Sequence, residues 1–294
     1  MLAGAGSGKT RVLTYRVAYL SETLGISPSR ILAVKFTNKA AAEMKERVFE
    51  LTGSHNATPS IGTFHSCCLG ILRREAHFLA QSEGFSIYDV EDQLAVVKEV
   101  MKDLSLSREL YHPRFLLEQI ERAKDVLCTA QDYATHAQSE SERITAAVFS
   151  KYEEKLKQYN AFDFGDLISE TVRLCNNVPS VLKKYSSKFC HVLVDEYQDT
   201  NFAQYVLIKL LSGKYRNLCV VDDEDQSIYS WRGASIRNIL EFERDFFDAR
   251  VIKLEENYRS SGTILEAASR VSKTTRTERK RSSGQRIPRA RRSL

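Results

Sequence analysis

The chain has 294 residues, 43% of them apolar and 28% charged, which is the make-up of a soluble globular protein with room for one to three domains. No apolar run approaches the ~20 residues of a membrane span. Met1 leads almost at once into a glycine-rich loop, so no signal peptide is expected. The six cysteines form no C-x-x-C pair, which argues against zinc and disulfide frameworks and for reduced thiols. The net charge of +5 is concentrated at one end: from Arg270 onward ten Lys/Arg face one acid, and the remainder is slightly acidic. Nucleic-acid binding in the body must therefore rest on particular residues, not on bulk charge.

Ala3-Gly4-Ala5-Gly6-Ser7-Gly8-Lys9-Thr10 reads as a phosphate-binding loop. Its glycines let backbone N–H groups curl round phosphate oxygens, Lys9 reaches the β/γ-phosphates, and Thr10 holds Mg2+. A helix over about 9–23 then points its positive end at the phosphates. The strand expected before such a loop is reduced to Met1-Leu2. Ile31–Phe36 is the next strand, and Thr37-Asn38 cap a helix over 39–51 that Gly53 stops. Phe36, Thr37 and Asn38, at a strand's carboxyl end, could stack on and hold a base, although Phe36 taken alone reads as a core residue. A short strand at Ile61–Thr63 and a helix to about Leu79 repeat the design. Taken alone, His65 there reads as a capping or otherwise satisfied histidine.

Residues from about 86 to 181 read mainly as helices, over 113–127, 141–159 and 163–175 among others. A helical block between strands indicates an inserted subdomain. The stretch Ala161–Asp166 marks the return to the parent domain, with its acids as helix caps. Val192-Leu193-Val194 is then a buried strand that ends in Asp195-Glu196, at the edge of a parallel sheet where ligands bind. A helix over 202–211 and a strand over 217–221 follow. Next comes an acidic turn from Asp222, with Gln226 suited to orienting water or a γ-phosphate. Tyr229, Trp231 and Arg232 supply stacking and charge in the same stretch. Val251–Leu254 is the last strand, and beyond Arg270 an Arg/Lys/Ser-rich segment reads as disordered.

Six collinear motifs carry a resemblance over residues 2–272. They are Gly4–Thr10, Phe36–Ala41, Gly62–His65, Val194–Asn201, Asp225–Ala234 and Asn257–Ser261. Together they resemble superfamily 1 DNA helicases of the UvrD/PcrA/Rep type. The resemblance implies an α/β fold: a parallel-sheet, RecA-like P-loop NTPase motor domain with a helical inserted subdomain. The motor domain would occupy 1–86 and 182–258, the insertion 87–181, and a remnant of a second motor domain with the basic tail 259–294. It implies an ATP-dependent 3′→5′ single-strand translocase and helicase of DNA repair or recombination, using ATP and Mg2+. Partners would be single-stranded DNA and duplex junctions, with no membrane, and the protein a monomer. The expected location is the nucleus, or the cytoplasm if the source is bacterial.

Carried over by motif, the loop Ala3–Thr10 binds the triphosphate. Thr10 and Asp195 hold the metal, Glu196 activates water, and Gln226 senses the γ-phosphate. Tyr258 stacks on adenine and Arg259 contacts the γ-phosphate. Phe36, Thr37, Asn38, Thr63, His65, Tyr229, Trp231 and Arg232 form the DNA track. The chain departs from the family's pattern at Asp222, where Gly is usual, and at Lys35, where Thr is common. The motifs that the family places upstream of the loop and in a second motor domain are not in the sequence. The alternative reading is accordingly a truncated module that binds ATP and single-stranded DNA without unwinding.

Overall fold

The computed structural model describes residues 1–53, 59–223, 242, 244–268, 270 and 271. Four strands, β2 (Ile31–Lys35), β3 (Ser60–Thr63), β6 (His191–Val194) and β7 (Leu218–Val220), form a parallel sheet in the order β3-β2-β6-β7. The shortened first strand does form: β1 (Leu2–Ala3) pairs in parallel with β8 (Lys253–Leu254). A parallel bridge from Leu2 to Asp222 joins that pair to the sheet beyond β7. The Met1 ammonium donates to Val220 O at 2.7 Å, and Ala3 N and Asp222 N complete the ladder at 2.9 Å each.

Alternation along the strands buries both faces of the sheet. Ile31, Ala33 and Leu193 pack with Leu13 and Val17 of α1 (Lys9–Ala18) and with Met44 and Val48 of α2 (Asn38–Thr52). Leu32, Val34, Val192 and Val194 point the other way. They meet α3 (Phe64–Arg74), α8 (Phe164–Asn177), α9 (Pro179–Lys188) and α10 (Phe202–Ser212). The fold is thus α/β, with helices on both faces of a parallel sheet. The first helix keeps its expected length, but its last five residues, Tyr19–Thr23, widen into a π-turn. Thr37 caps α2 by accepting from Ala40 N at 3.2 Å, and Gly53 ends it at φ +59°.

A second core belongs to α4 (Val90–Asp103), α5 (Pro113–Asp125), α6 (Ala130–His136) and α7 (Glu140–Gln158), centred on Val97, Met101, Ile120, Phe149 and Tyr152. Two three-residue strands not foreseen in the sequence, β4 (Ser86–Tyr88) and β5 (Ala161–Asp163), pair where the chain enters and leaves this block. Asp163 and Asp166 cap α8 as expected, in a reciprocal capping box. They also share Lys124 Nζ of α5, at 2.7 and 2.6 Å, and Tyr152 donates to Asp163 at 2.9 Å. All four side chains are buried. This charged knot fastens the helical block to the main core.

Candidate nucleotide site and nucleic-acid cleft

The carboxyl ends of β1, β2, β3 and β6 come together at one edge, and two cavities open there. The first, of about 370 Å³, is lined by Gly6, Gly8, Lys9, Thr10, Lys35, Glu196 and Arg259, with Arg11, Glu43 and Arg47 at its side. Gly6 and Gly8 hold φ of +77° and +88°, a backbone that lets the loop turn back before α1 starts at Lys9. Ser7 Oγ donates to Gly4 O at 2.7 Å and closes the turn.

The segment after β8 is strapped across this loop. Asn257 donates to Ala5 O, and its own Oδ1 accepts from Arg259 N and Ser260 N, both at 2.9 Å. Tyr258 N donates to Gly6 O at 2.9 Å. A Cβ on Gly6 would lie 2.7 Å from Arg259 Cβ, so only glycine admits this approach. The strap delivers Arg259 to the cavity and leaves Tyr258 73% exposed beside it, with its hydroxyl on Glu256 at 2.8 Å.

Opposite the loop, β6 ends in buried Asp195 and half-buried Glu196. Glu196 has φ +50°, a left-handed conformation that turns its carboxylate from the sheet toward Lys9 Nζ, 3.6 Å away. Gln198 fixes that carboxylate, donating to Oε2 at 2.8 Å while its own oxygen accepts from Asp223 N at 3.1 Å. Lys9 also pairs with Asp223 at 2.8 Å. Thr10 Oγ1 lies 3.3 Å from Asp195 Oδ2, so the two expected metal ligands do meet. A hydroxyl beside a carboxylate is a donor set for a hard cation. The space between them is taken, however: Lys35 Nζ is ion-paired with Asp195 and lies 3.3 Å from Thr10 Oγ1. A metal ion does not fit there while the ammonium remains.

The second cavity, of about 720 Å³, is lined by Phe36, Thr63, His65 and Phe164, with Asp125, Asp199 and Asn201 among its polar groups. Its glutamates and aspartates outnumber its cations, so it offers stacking and hydrogen bonding and little phosphate neutralisation. Burial keeps His65 below its usual pKa, a neutral imidazole near pH 7, edge-on to Phe164 at 5.9 Å. Burial, then Glu121, pushes Asp125 up to about 7, and burial, then Glu196, pushes Asp199 up to about 6.

The expected residues divide accordingly. Ala5, Gly6, Gly8, Lys9, Thr10, Glu196 and Arg259 gather at the first cavity, whereas Ser7 is buried behind it. Ala3 is buried in β1, and Gly4 closes the turn behind. Phe36, Thr63 and His65 gather at the second. Asn38 reaches it through Thr63, whose hydroxyl lies 3.4 Å from Asn38 Oδ1, and the Thr37 hydroxyl is occupied as a helix cap. Gln226, Tyr229, Trp231, Arg232 and the basic tail from 272 lie outside the described residues. Sequence reasoning assigned no role to Gln198, Asp223 or Asn257, although Gln198 and Asn257 stand inside quoted motifs.

The profile of the UvrD/REP helicase N-terminal domain matches residues 1–247. The ATP-dependent DNA helicase PcrA of Staphylococcus aureus is 49% identical over 280 residues, covering 95% of this chain and 38% of that protein. The PcrA helicase of Staphylococcus epidermidis is 48% identical over 273 residues, covering 93% of this chain and 37% of that protein. The chain thus spans a little over a third of the length of these relatives, and it belongs to the UvrD/REP helicase family.

Proposed function

We propose that this chain is the RecA-like P-loop motor domain of an ATP-dependent DNA helicase, with the helical block within 87–181 as its inserted subdomain. The first cavity would take ATP and the second single-stranded DNA. One observation carries this reading: the run from Asp195 to Asn201 passes from one cavity into the other. Asp195 and Glu196 face the loop, whereas Asp199 and Asn201 line the cleft. A single rigid turn can therefore report nucleotide state to DNA and the reverse.

Within the nucleotide site, the loop amides and Lys9 bind the phosphates. Arg259 sits where it can meet the γ-phosphate, and exposed Tyr258 offers a face to the base. Glu196 is the general base for the attacking water, and Gln198 is a positioning residue that aims it. Magnesium accompanies ATP in the expected chemistry, but here Lys35 stands between Thr10 and Asp195, the two residues expected to hold it. In the cleft, Phe36 and His65 stack on bases while Thr63 and Asn38 hydrogen-bond to the strand. The 3′→5′ translocation and unwinding expected of the family belong to this proposal for the whole protein. The two Staphylococcus relatives are bacterial, which favours the cytoplasmic alternative and leaves the nuclear expectation without support.

Titration calorimetry with ATP tests the nucleotide assignment. Lys9→Ala should abolish binding, because Lys9 supplies ground-state charge, and Glu196→Gln should retain it, because Glu196 acts on the water. Equal ATP affinity in Lys9→Ala and the unmodified chain would refute the assignment.

A further inference from the structure

We propose that the Lys35 ammonium takes the place of the divalent cation in this chain, so that the pocket binds a nucleoside triphosphate without a metal ion. The inference rests on the nucleotide reading above and departs from it in the metal. Lys35 is the last residue of β2, and its strand is held on both sides, by Thr63 of β3 and, one residue earlier, by Val194 of β6. Its side chain is 4% exposed, and its Nζ contacts the same two atoms, Thr10 Oγ1 and Asp195 Oδ2, that a hard cation would use. Magnesium requires near-octahedral oxygens at about 2.0–2.1 Å and cannot share that space with an ammonium.

Lysine offers what the position then needs. Its ammonium is a compact positive charge with three donors. Two of them serve Thr10 and Asp195, and the third can donate to a phosphate oxygen, since Lys35 lines the cavity. The charge balance also holds without a metal. Lys9, Arg11, Lys35, Arg47 and Arg259 line the cavity against Glu43 and Glu196. The buried acids nearby already have cations, Asp195 in Lys35 and Asp223 in Lys9. Expelling Lys35 to admit magnesium would break a buried ion pair and bring two cations together before the phosphates could offset them. A threonine at the same position would reach neither oxygen with a charge, and the hydroxyl–carboxylate pair would be left open to a metal.

The experiment is equilibrium binding of a fluorescent ATP analogue, displaced by ATP, to the full chain in excess EDTA and in millimolar magnesium. The unmodified chain should bind with the same affinity, within about twofold, in both buffers. Lys35→Thr, shown to be folded by circular dichroism, should bind about tenfold or more weakly in EDTA than in magnesium. An unmodified chain whose affinity falls about tenfold or more in EDTA overturns this inference alone. So does a folded Lys35→Thr protein that binds equally in both buffers. Absence of binding by the unmodified chain in either buffer overturns the nucleotide reading and this inference with it.

Discussion

Replacing Lys124 by methionine removes the cation that pairs with both acids of the knot joining α5, α7 and α8, and the cost follows from what remains. In the native protein burial opposes the Lys124 charge, but Asp163 and Asp166 outweigh it and hold the ammonium above its ordinary pKa. Burial and the Asp163 charge push Asp166 up, whereas at Asp163 burial is more than offset by Lys124, the Asp166 backbone N–H and the Tyr152 hydroxyl together, which hold it down. In Lys124→Met the two buried carboxyls face each other with no cation between them, and among the described residues only the Tyr152 hydroxyl and the two backbone N–H groups of the capping box still donate to them. Breaking a buried pair by removing one partner costs about 3–5 kcal/mol. The sign of the pH dependence is fixed. A carboxyl whose folded pKa is raised loses stability as pH climbs above its unfolded value. The deficit should therefore be largest at pH 8 and smaller at pH 5 by at least ~1 kcal/mol, the equivalent of about one pKa unit. Urea denaturation followed by circular dichroism at the two pH values measures it. Lys124→Met combined with Asp166→Asn should recover part of the loss and flatten its pH dependence. A deficit below ~1 kcal/mol at both values, or one equal at both, would refute this account of the knot.

Two further substitutions probe the two cavities. Gly6→Ala places a Cβ against Arg259 and Asn257 at a positive φ, so it should lift the strap from the phosphate loop and weaken ATP binding while far-ultraviolet circular dichroism stays unchanged; unaltered ATP affinity would show that the strap does not shape the site. Phe36→Ala should weaken binding of a fluorescent single-stranded oligonucleotide by about 1–3 kcal/mol, one stacking platform's worth, with little dependence on sequence; a loss of thermal stability without a loss of affinity would make Phe36 a core residue.

The sheet was legible because its strands are short apolar runs that stop at polar residues, and the phosphate loop because its glycine spacing allows few other structures. The capping roles of Thr37 and Asp163 were equally local. What escaped depends on partners far along the chain. Lys35 stands out in the sequence only as a departure from the family's usual Thr, because its counter-charge, Asp195, lies 160 residues on. Lys124 reads as one more charge on an amphipathic helix, and its two acids are 39 and 42 residues away. The strands β4 and β5 are three residues each, too short for a period of two to stand out from the flanking helices. The helix α6 has seven residues, and nothing in its spacing separates it from the loop around it.

The position of β1 has a consequence for synthesis. The four strands from β2 to β7 can pair once Val220 has been made, but β1 gains its second neighbour only at Lys253 and Leu254. At about 5–20 residues per second, a growing chain spends a few seconds with the outer edge of β1 bare and the strap over Gly6 still unmade. A bare parallel edge is a template for another chain. Nascent chains stalled between 221 and 252 should therefore be the form most prone to associate, and the phosphate loop should be among the last parts of the domain to take its shape.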